Sequence, residues 1–321
     1  MRVAGVDIGT VTTRLILAEL DEGGALNVVA RCGSVTDLGE GVDATGAFCS
    51  AAIDRVVETC RSFAERIAAF RPAVTLLTLT SAARDASNAH LLLERLEALG
   101  FSPEVIPGEV EARLTFLGVA ADFAGERIAV MDSGGGSTEF ALGSAGAASG
   151  PCALERTVSL DIGCRRVTER FLGAGGRGER AARTWAREQF AGFWGAVPET
   201  PSRLVAVGGT VTTLVAVQHE LDPYDSAFVH LHALSLAEVD ALADRFSGMS
   251  VAEIAACKGM EPKRAPVIRA GAIVVGEALR AGGYTSLTVS ENGLLVGLAR
   301  AGARLAESGS STGGVLAALS C

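Results

Sequence analysis

Two stretches of the chain open in the same way, with a pair of apolar strands around a glycine-containing turn. Residues 2–8 and 14–20 form the first predicted pair, and residues 127–132 and 138–142 form the second. After each pair, apolar residues recur at helical spacing, as in the stripe from Ile53 to Ile67. This alternation predicts an α/β fold, and its restart predicts a duplicated architecture of two lobes with a cleft between them.

The length of the chain agrees with two lobes. It has 321 residues, of which 49% are hydrophobic and 20% charged, which excludes a disordered or collagen-like protein. We expect a first lobe of residues 1–124, joined by the C-terminal segment 300–321, and a second lobe of residues 125–299. Further strands are predicted at residues 26–33, 74–80, 203–207 and 284–290, and helix-opening capping boxes at Ser235–Glu238 and Ser250–Glu253. The Ser/Gly-rich tail after Ala306 is expected to fray.

A short internal repeat supports the duplication. Residues 9–13 and 209–213 both have the sequence Gly-Thr-Val-Thr-Thr, and each copy follows an apolar strand. We interpret the two copies as equivalent parts of the two lobes. Convergent turn chemistry is the alternative, because glycine and threonine are common in turns.

Charge and cysteine usage exclude several classes of protein. The net charge of −9 argues against a nucleic-acid-binding or anionic membrane-binding surface, so an anionic substrate would need a local basic pocket. The seven cysteines contain no Cys-x-x-Cys pair, which argues against a disulfide framework or a thiolate zinc site. The longest apolar stretch, residues 204–218, is interrupted by two glycines, and the N-terminus starts as a strand rather than a signal peptide. We therefore expect a soluble cytoplasmic protein.

Three glycine loops follow predicted strands, at Asp7–Thr10, Asp132–Glu139 and Val207–Thr210. Glycine allows backbone N–H groups to approach phosphate oxygens, and hydroxyl side chains add further donors. Asp7 and Asp132 stand where a phosphate site would need carboxylate ligands for Mg²⁺, although each could instead bond to its own turn. Glu111 opens a predicted helix, where an acidic residue can also simply complement the helix dipole.

These loops, with residues 38–43, 80–88 and 108–119, resemble the exopolyphosphatase/guanosine pentaphosphatase (Ppx/GppA) family of the actin, sugar kinase and Hsp70 superfamily. The resemblance runs from residue 3 to about residue 300 and is to the short, two-domain members. It implies two actin-like, ribonuclease H-like lobes and hydrolysis of the terminal phosphoanhydride of polyphosphate or of pppGpp. It also implies Mg²⁺ or Mn²⁺ as cofactor and a homodimer.

The resemblance assigns roles to individual residues. Glu111 matches the catalytic glutamate that serves as general base for the attacking water. Asp132 and Glu139 match an acidic pair that binds the metal and helps to orient water. Asp7 is a further expected metal ligand because of its position at the end of the first strand, not because of the resemblance. The positions that match phosphate-contacting or basic site residues are Thr10, Thr12, Arg14, Arg84, Gly134, Gly135, Gly136, Ser137, Thr138, Gly209 and Thr210.

The chain departs from the family pattern at Val11, Asp37, Pro266 and the pair Leu295–Val296. The acid–base residues are intact while the periphery has lost polar groups, so substrate preference or turnover can differ from the family norm. Two other functions therefore stay open: an ATP-dependent kinase of the same superfamily, and a sensor that binds polyphosphate or pppGpp without hydrolysing it.

Several remaining residues have both a functional and a structural interpretation. Arg165–Arg166 and Lys263–Arg264 could guide a polyanion or could lie on solvated helix faces. For His230 and His232 we favour an ordinary loop or strand over a metal site. We interpret Cys164, Trp185 and Trp194 as packing residues.

Overall fold

The computed structural model describes residues 1–21, 25–146, 152–173, 176–308 and 315. The strands are β1 (Arg2–Ile8), β2 (Thr12–Leu20), β3 (Leu26–Val35), β4 (Val74–Leu79), β5 (Pro103–Val105), β6 (Arg127–Ser133), β7 (Thr138–Ser144), β8 (Ala153–Leu160), β9 (Arg203–Val207), β10 (Ala233–Ser235) and β11 (Ser286–Val289). The helices are α1 (Val42–Thr45), α2 (Ser50–Phe70), α3 (Ser81–Asp85), α4 (Ala89–Glu97), α5 (Gly108–Val119), α6 (Cys164–Val167), α7 (Glu179–Trp194), α8 (Gly209–Gln218), α9 (Ser226–Val229), α10 (Leu236–Ser247), α11 (Val251–Ala255), α12 (Ala265–Gly282) and α13 (Leu294–Glu307). A π-helical turn, Thr168–Leu172, extends α6.

The chain divides into two compact units, Met1–Val119 with Gly293–Cys321 and Ala120–Asn292. Residues 293–299, which the sequence analysis assigned to the second lobe, thus belong to the first unit. The reason is that α13 packs on β1, β2, β4 and α5 and buries its apolar face there. Gly297 permits the contact with α5, because a Cβ at this position would lie 1.9 Å from the carbonyl oxygen of Leu114.

The first unit is a five-stranded sheet with helices on both faces. Its strand order is β3-β2-β1-β4-β5, with β1, β2 and β3 antiparallel and β4 and β5 parallel to β1. Alternate residues of β1 point to opposite faces. Val6 and Ile8 pack in the core beneath α2 and α4, whereas Val3 packs with α13 on the other side.

The second unit repeats this topology. Its sheet has the order β10-β11-β9-β6-β7-β8, in which β6, β7 and β8 are antiparallel and β9 and β11 run parallel to β6. The long helix α12 packs on α6, α7, α8 and α10 and is buried along most of its length. The duplicated α/β architecture predicted from the sequence is therefore present, with β10 as an added edge strand.

The pentapeptide repeat was the wrong evidence for this duplication. Residues 9–13 form the turn between β1 and β2, whereas residues 209–213 form the first turns of α8. The equivalent of the first turn is residues 134–138, between β6 and β7. Both turns close with the same backbone bond, from the N–H of Gly9 to Thr12 O at 2.9 Å and from the N–H of Gly134 to Ser137 O at 3.0 Å.

The predicted strands and helices are present with small differences at their ends, and both predicted capping boxes are formed, at α10 and α11. The apolar stretch 204–218 consists of β9 and α8 rather than one long helix. Among the helices described, none combines the length and apolarity needed to cross a bilayer. Most of the tail predicted to fray lies outside the described residues.

Candidate active site

An ion pair flanks the turn between β1 and β2. Asp7 and Arg14 lie opposite each other in the strand register, so their side chains share one face of the sheet. Arg14 Nη2 donates to Asp7 Oδ2 at 2.7 Å. Asp7 is 1% exposed, and its Oδ1 has no hydrogen-bond partner among the residues described. Burial raises the pKa of Asp7, and the neighbouring Arg14 guanidinium opposes that rise.

The turn itself is held by the segment 36–39. The carbonyl oxygens of Thr10 and Val11 accept hydrogen bonds from backbone N–H groups of that segment. In a planar trans peptide the N–H points opposite to the C=O, so the N–H groups of Val11 and Thr12 face away from the segment. The Val11 side chain, one of the departures from the family pattern, is buried. The turn thus presents backbone amides.

The second unit has a pair of carboxylates at the equivalent position. Asp132 and Glu139 are register partners in β6 and β7, as Asp7 and Arg14 are in β1 and β2. Asp132 is 7% and Glu139 2% exposed. Ser159 Oγ, on the adjacent strand β8, donates to Glu139 Oε1 at 2.7 Å. Two buried acids therefore lie side by side on one face of the sheet at the end of this hairpin.

Contacts with α6 orient the peptide groups of the glycine loop between these carboxylates. The carbonyl oxygens of Gly134 and Gly135 accept backbone N–H bonds from residues 164–166, and Gly136 O accepts Arg166 Nε at 2.8 Å. Because each N–H points opposite to the preceding C=O, the amides of residues 135, 136 and 137 face away from α6. Three successive amides on one side of a loop form an anion-binding concavity.

The two hydroxyl residues of this loop differ in their surroundings. Thr138 is fully buried, and its Oγ1 donates to Ile162 O at 2.6 Å. Ser137 is 2% exposed. The Thr138 hydroxyl proton is therefore engaged in holding the segment before α6 rather than directed to a ligand.

Glu111 is held by an arginine from another helix of the first unit. Arg84, near the end of α3, donates through Nη1 to Glu111 Oε2 at 2.9 Å and to Ile106 O at 2.9 Å. Glu111 is 6% exposed, in the first turn of α5. The arginine that the family resemblance assigns to the site thus fixes the carboxylate of the expected base.

The third glycine loop leads into α8. Gly208 has φ of 98° and ψ of 163°, a conformation open essentially to glycine alone, and a Cβ there would lie 2.9 Å from Asp132 Oδ1. The Arg264 guanidinium lies over the Cα of Gly209, 2.2 Å from where a Cβ would stand. The start of α8 therefore combines helix N-terminal amides with a cation, a suitable site for an anion.

A cavity of about 600 Å³ adjoins this start. Its wall includes one aromatic ring, Tyr224, together with Thr212 and the apolar Met260. Two cations and two carboxylates also line it: Arg264, Lys258, Asp222 and Glu261. The charges balance, so the cavity suits a neutral polar group better than a row of phosphates.

The described residues contain no cluster of three or more histidine, cysteine, aspartate or glutamate side chains that could hold a metal by themselves. Mg²⁺ needs no such cluster, because it usually takes one or two carboxylates and completes its shell with substrate oxygens and water. In the second unit the Asp132–Glu139 pair offers oxygen ligands that suit it. The first unit, taken by itself, offers the Oδ1 of Asp7, which has no partner among the described residues.

The other sequence candidates have structural settings. Arg166 is 9% exposed and bonded to Gly136 O, so it is part of the loop support rather than a surface guide. His232 lies with its Nε2 3.1 Å from Nε2 of His219, not paired with His230. Cys164 and Trp194 are buried. The departures Leu295 and Val296 lie in α13, where Val296 is buried against β1 and β2 and Leu295 is partly buried beside it.

The sequence analysis did not identify three residues that contribute to the candidate site or to the cavity beside it. Ser159 was noted only as part of a matching stretch, Arg264 only as a surface guide, and Tyr224 was not considered. No local sequence pattern indicates Ser159, because its contact with Glu139 depends on the register of β7 and β8. Arg264 is distant in sequence from Gly209, and Tyr224 is distant from Arg264 in the cavity wall that they share, so these contacts arise only from folding.

The chain is similar to known phosphatases over nearly its full length. The profile of the Ppx/GppA phosphatase family matches residues 16–300. Exopolyphosphatase 2 of Mycobacterium tuberculosis is 36% identical over 317 residues, covering 93% of this chain and 97% of that protein. Among solved structures, an exopolyphosphatase from Cytophaga hutchinsonii has a TM-score of 0.80 at 25% identity, covering 92% of this chain and 96% of that one. A Ppx/GppA protein of Aquifex aeolicus has a TM-score of 0.76 at 29% identity, covering 96% and 98%. These similarities confirm the predicted fold class of two actin-like α/β lobes.

Proposed function

Because the chain belongs to the Ppx/GppA phosphatase family, we propose that it hydrolyses the terminal phosphoanhydride bond of inorganic polyphosphate and releases orthophosphate. It is a phosphoanhydride hydrolase. The loop at residues 135–137 is the observation that supports a phosphate group as the substrate. Its three amides face away from α6, beside two buried carboxylates. Amides of this kind suit the oxygens of a terminal phosphate.

Hydrolysis of a phosphoanhydride requires the protein mainly to position the phosphate and to stabilise negative charge on it. Phosphoryl transfer passes through a loose transition state in which negative charge spreads over the phosphate oxygens, so oriented amides and cations stabilise it. We assign these roles to the amides of residues 135–137 and to the start of α8 with Arg264. The turn at residues 10–12 supplies further amides in the first unit.

Glu111 is the proposed general base. A buried carboxylate can accept a proton from water when its orientation is fixed, and the bond from Arg84 fixes it. We propose that the carboxylate held in this way takes the proton from the attacking water. Arg84 is thus a positioning residue in this scheme.

A divalent metal is the cofactor expected of the family, and we propose Mg²⁺ here. Asp132 and Glu139 of the second unit would hold it, with waters and phosphate oxygens in its other positions. When bound, it would neutralise charge on the phosphate oxygens. Without it, the two carboxylates of the second hairpin would repel a polyanion.

A second substrate, pppGpp, is favoured by the cavity beside α8. Its charge-balanced wall with one aromatic ring suits a guanosine group, while the phosphates would lie at the start of α8. We therefore propose 5′-phosphate hydrolysis of pppGpp as an additional activity. Replacing Tyr224 with alanine should then raise KM for pppGpp and leave KM for polyphosphate unchanged.

The test is phosphate release with Mg²⁺ from long-chain polyphosphate, tripolyphosphate and pppGpp, in the absence of any acceptor. Release from polyphosphate supports the proposal, and the ratio of the three kcat/KM values assigns the preferred substrate. No release from any of them, with tight binding of polyphosphate, would indicate a sensor. Phosphate transfer from ATP to an added acceptor, without release, would indicate a kinase.

A further inference from the structure

Two aromatic rings and several arginines form an open groove on the second unit. The groove has a volume of about 420 Å³ and is lined by Phe171, Trp185, Arg177, Arg180, Thr184 and Glu188. None of these residues has a role in the reaction proposed above. Trp185 was expected to serve only in packing, but it is half-exposed and forms part of the groove wall.

Cation–π contacts hold two arginine side chains against the aromatic rings of the groove. The Phe171 and Trp185 rings lie 5.3 Å apart between centroids. Arg177 lies over Phe171 at 5.1 Å and Arg170 over Trp185 at 5.5 Å from the ring centroids. Such a contact holds a guanidinium by its face, while the N–H groups at its edge can still donate to an anion.

The groove is locally positive. Within the described part of the chain, Arg177 and Arg180 form no ion pair, whereas Arg183 on the same helix pairs with Glu179 at 2.9 Å. Glu188 is the acidic residue in the groove wall. In a chain of net charge −9, exposed arginines without carboxylate partners form a local site for an anion.

The groove and the glycine loop are joined by one helical segment. α6 begins with the N–H of Cys164 bonded to Gly134 O, and the π-helical turn that extends it ends at Leu172, beside Phe171 in the groove. Residues 164 and 172 are eight residues apart, which at the α-helical rise corresponds to a separation of about 12 Å. A chain of several phosphates spans that length, whereas tripolyphosphate does not.

We propose that this groove binds the distal part of a polyphosphate chain whose terminal phosphate is hydrolysed at the glycine loop. The inference rests on the proposed function. An open, positively charged groove suits a flexible linear polyanion that must advance after each cleavage, because surface arginines bind phosphate without enclosing it. The groove would distinguish long polyphosphate chains from short ones, because only long chains reach its arginines from the glycine loop.

The first experiment measures binding through the fluorescence of Trp185. Long-chain polyphosphate should change the emission of the full-length protein, and Trp185→Phe should abolish that change. The double variant R177Q/R180Q should weaken binding about tenfold and reduce its dependence on salt concentration. R245Q/R304Q is the matched control, because it removes the same charge from two exposed arginines elsewhere.

The second experiment compares chain lengths. R177Q/R180Q should raise KM for long-chain polyphosphate about tenfold, with kcat and the turnover of tripolyphosphate unchanged; unaltered tripolyphosphate kinetics also show that the variant is folded. Equal KM values for long chains in this variant and in the control would overturn the inference. Tighter binding of a nucleotide than of polyphosphate at Trp185 would also overturn it. If the wild type hydrolyses no polyphosphate, the proposed function fails, while the fluorescence result still decides whether the groove binds the chain.

Discussion

The backbone conformation at Gly208 offers a way to displace Asp132 without changing any acidic residue. In Gly208→Ala, the new Cβ would stand 2.9 Å from Asp132 Oδ1, about 0.5 Å closer than the 3.4 Å at which ordinary contact begins. Asp132 is 7% exposed and has little room to move away. The substitution therefore combines backbone strain with a forced shift of one carboxylate oxygen.

Gly178→Ala separates these two effects. Gly178 has φ of 86° and ψ of 170°, nearly the conformation of Gly208, but a Cβ there meets nothing within 4 Å. Both variants should lose about 1–3 kcal/mol of unfolding free energy from backbone strain. Only Gly208→Ala should also lose activity. Since a misplacement of about 1 Å lowers a rate about 100-fold, a shift of half that size corresponds to about tenfold in kcat.

The assay is Mg²⁺-dependent phosphate release from tripolyphosphate, with unfolding monitored by circular dichroism on the same samples. Tripolyphosphate is used because Gly178 lies next to the groove residue Arg177, which is proposed to contact only long chains. A kcat for Gly208→Ala equal to that of Gly178→Ala, at equal stability, would refute the assignment of Asp132 to the reaction. A loss of activity in both variants would show that the strain alone is responsible.

Two further predictions concern stability. The pKa of Asp7 is raised by burial above its ordinary value of 3.8, so the unfolded chain ionises first and stability falls as pH rises above that value. Asp7→Asn should therefore gain in melting temperature relative to the wild type as the pH is raised above 3.8, and a difference that stays constant with pH would contradict the burial effect. Gly297→Ala places a Cβ 1.9 Å from Leu114 O and should lower the unfolding free energy by about 3 kcal/mol or more. Gly302→Ala on the same helix meets only contacts of 3.7 Å or longer and should be neutral or stabilising by about 0.5–1 kcal/mol, so equal effects of the two variants would contradict the packing described for α13.

Much of the fold could be predicted because local chemistry determines it. Continuous apolar runs identified β1 and β6, and the serine and glutamate spacing identified the starts of α10 and α11. The misplaced boundary at α13 has a long-range cause. Its apolar face fits either lobe by sequence, and its packing on β1, β2, β4 and α5, with the close approach at Gly297, assigns it to the first.

The family resemblance names the candidate site residues, but the sequence does not indicate the contacts that the structure shows among them. The sequence identified Asp132 and Glu139 as a pair, and the register of β6 and β7 places them opposite each other. It did not show that Arg84 bonds to Glu111, because the two residues lie on separate helices. The GTVTT repeat misled for a related reason: the same five residues form a hairpin turn after β1 and a helix after β9, so the context rather than the pentapeptide determines the structure.

Glu111→Gln tests the central claim most directly. The change keeps the size of the side chain and its contact with Arg84 but removes the proton acceptor. It should lower kcat for phosphate release from polyphosphate by about 10²–10⁴-fold and leave the Kd for polyphosphate unchanged. Glu109→Gln, the same change at an exposed position of the same helix, should behave as the wild type. A Glu111→Gln variant whose kcat stays within a few-fold of the wild type would contradict the assignment of the base and the mechanism built on it.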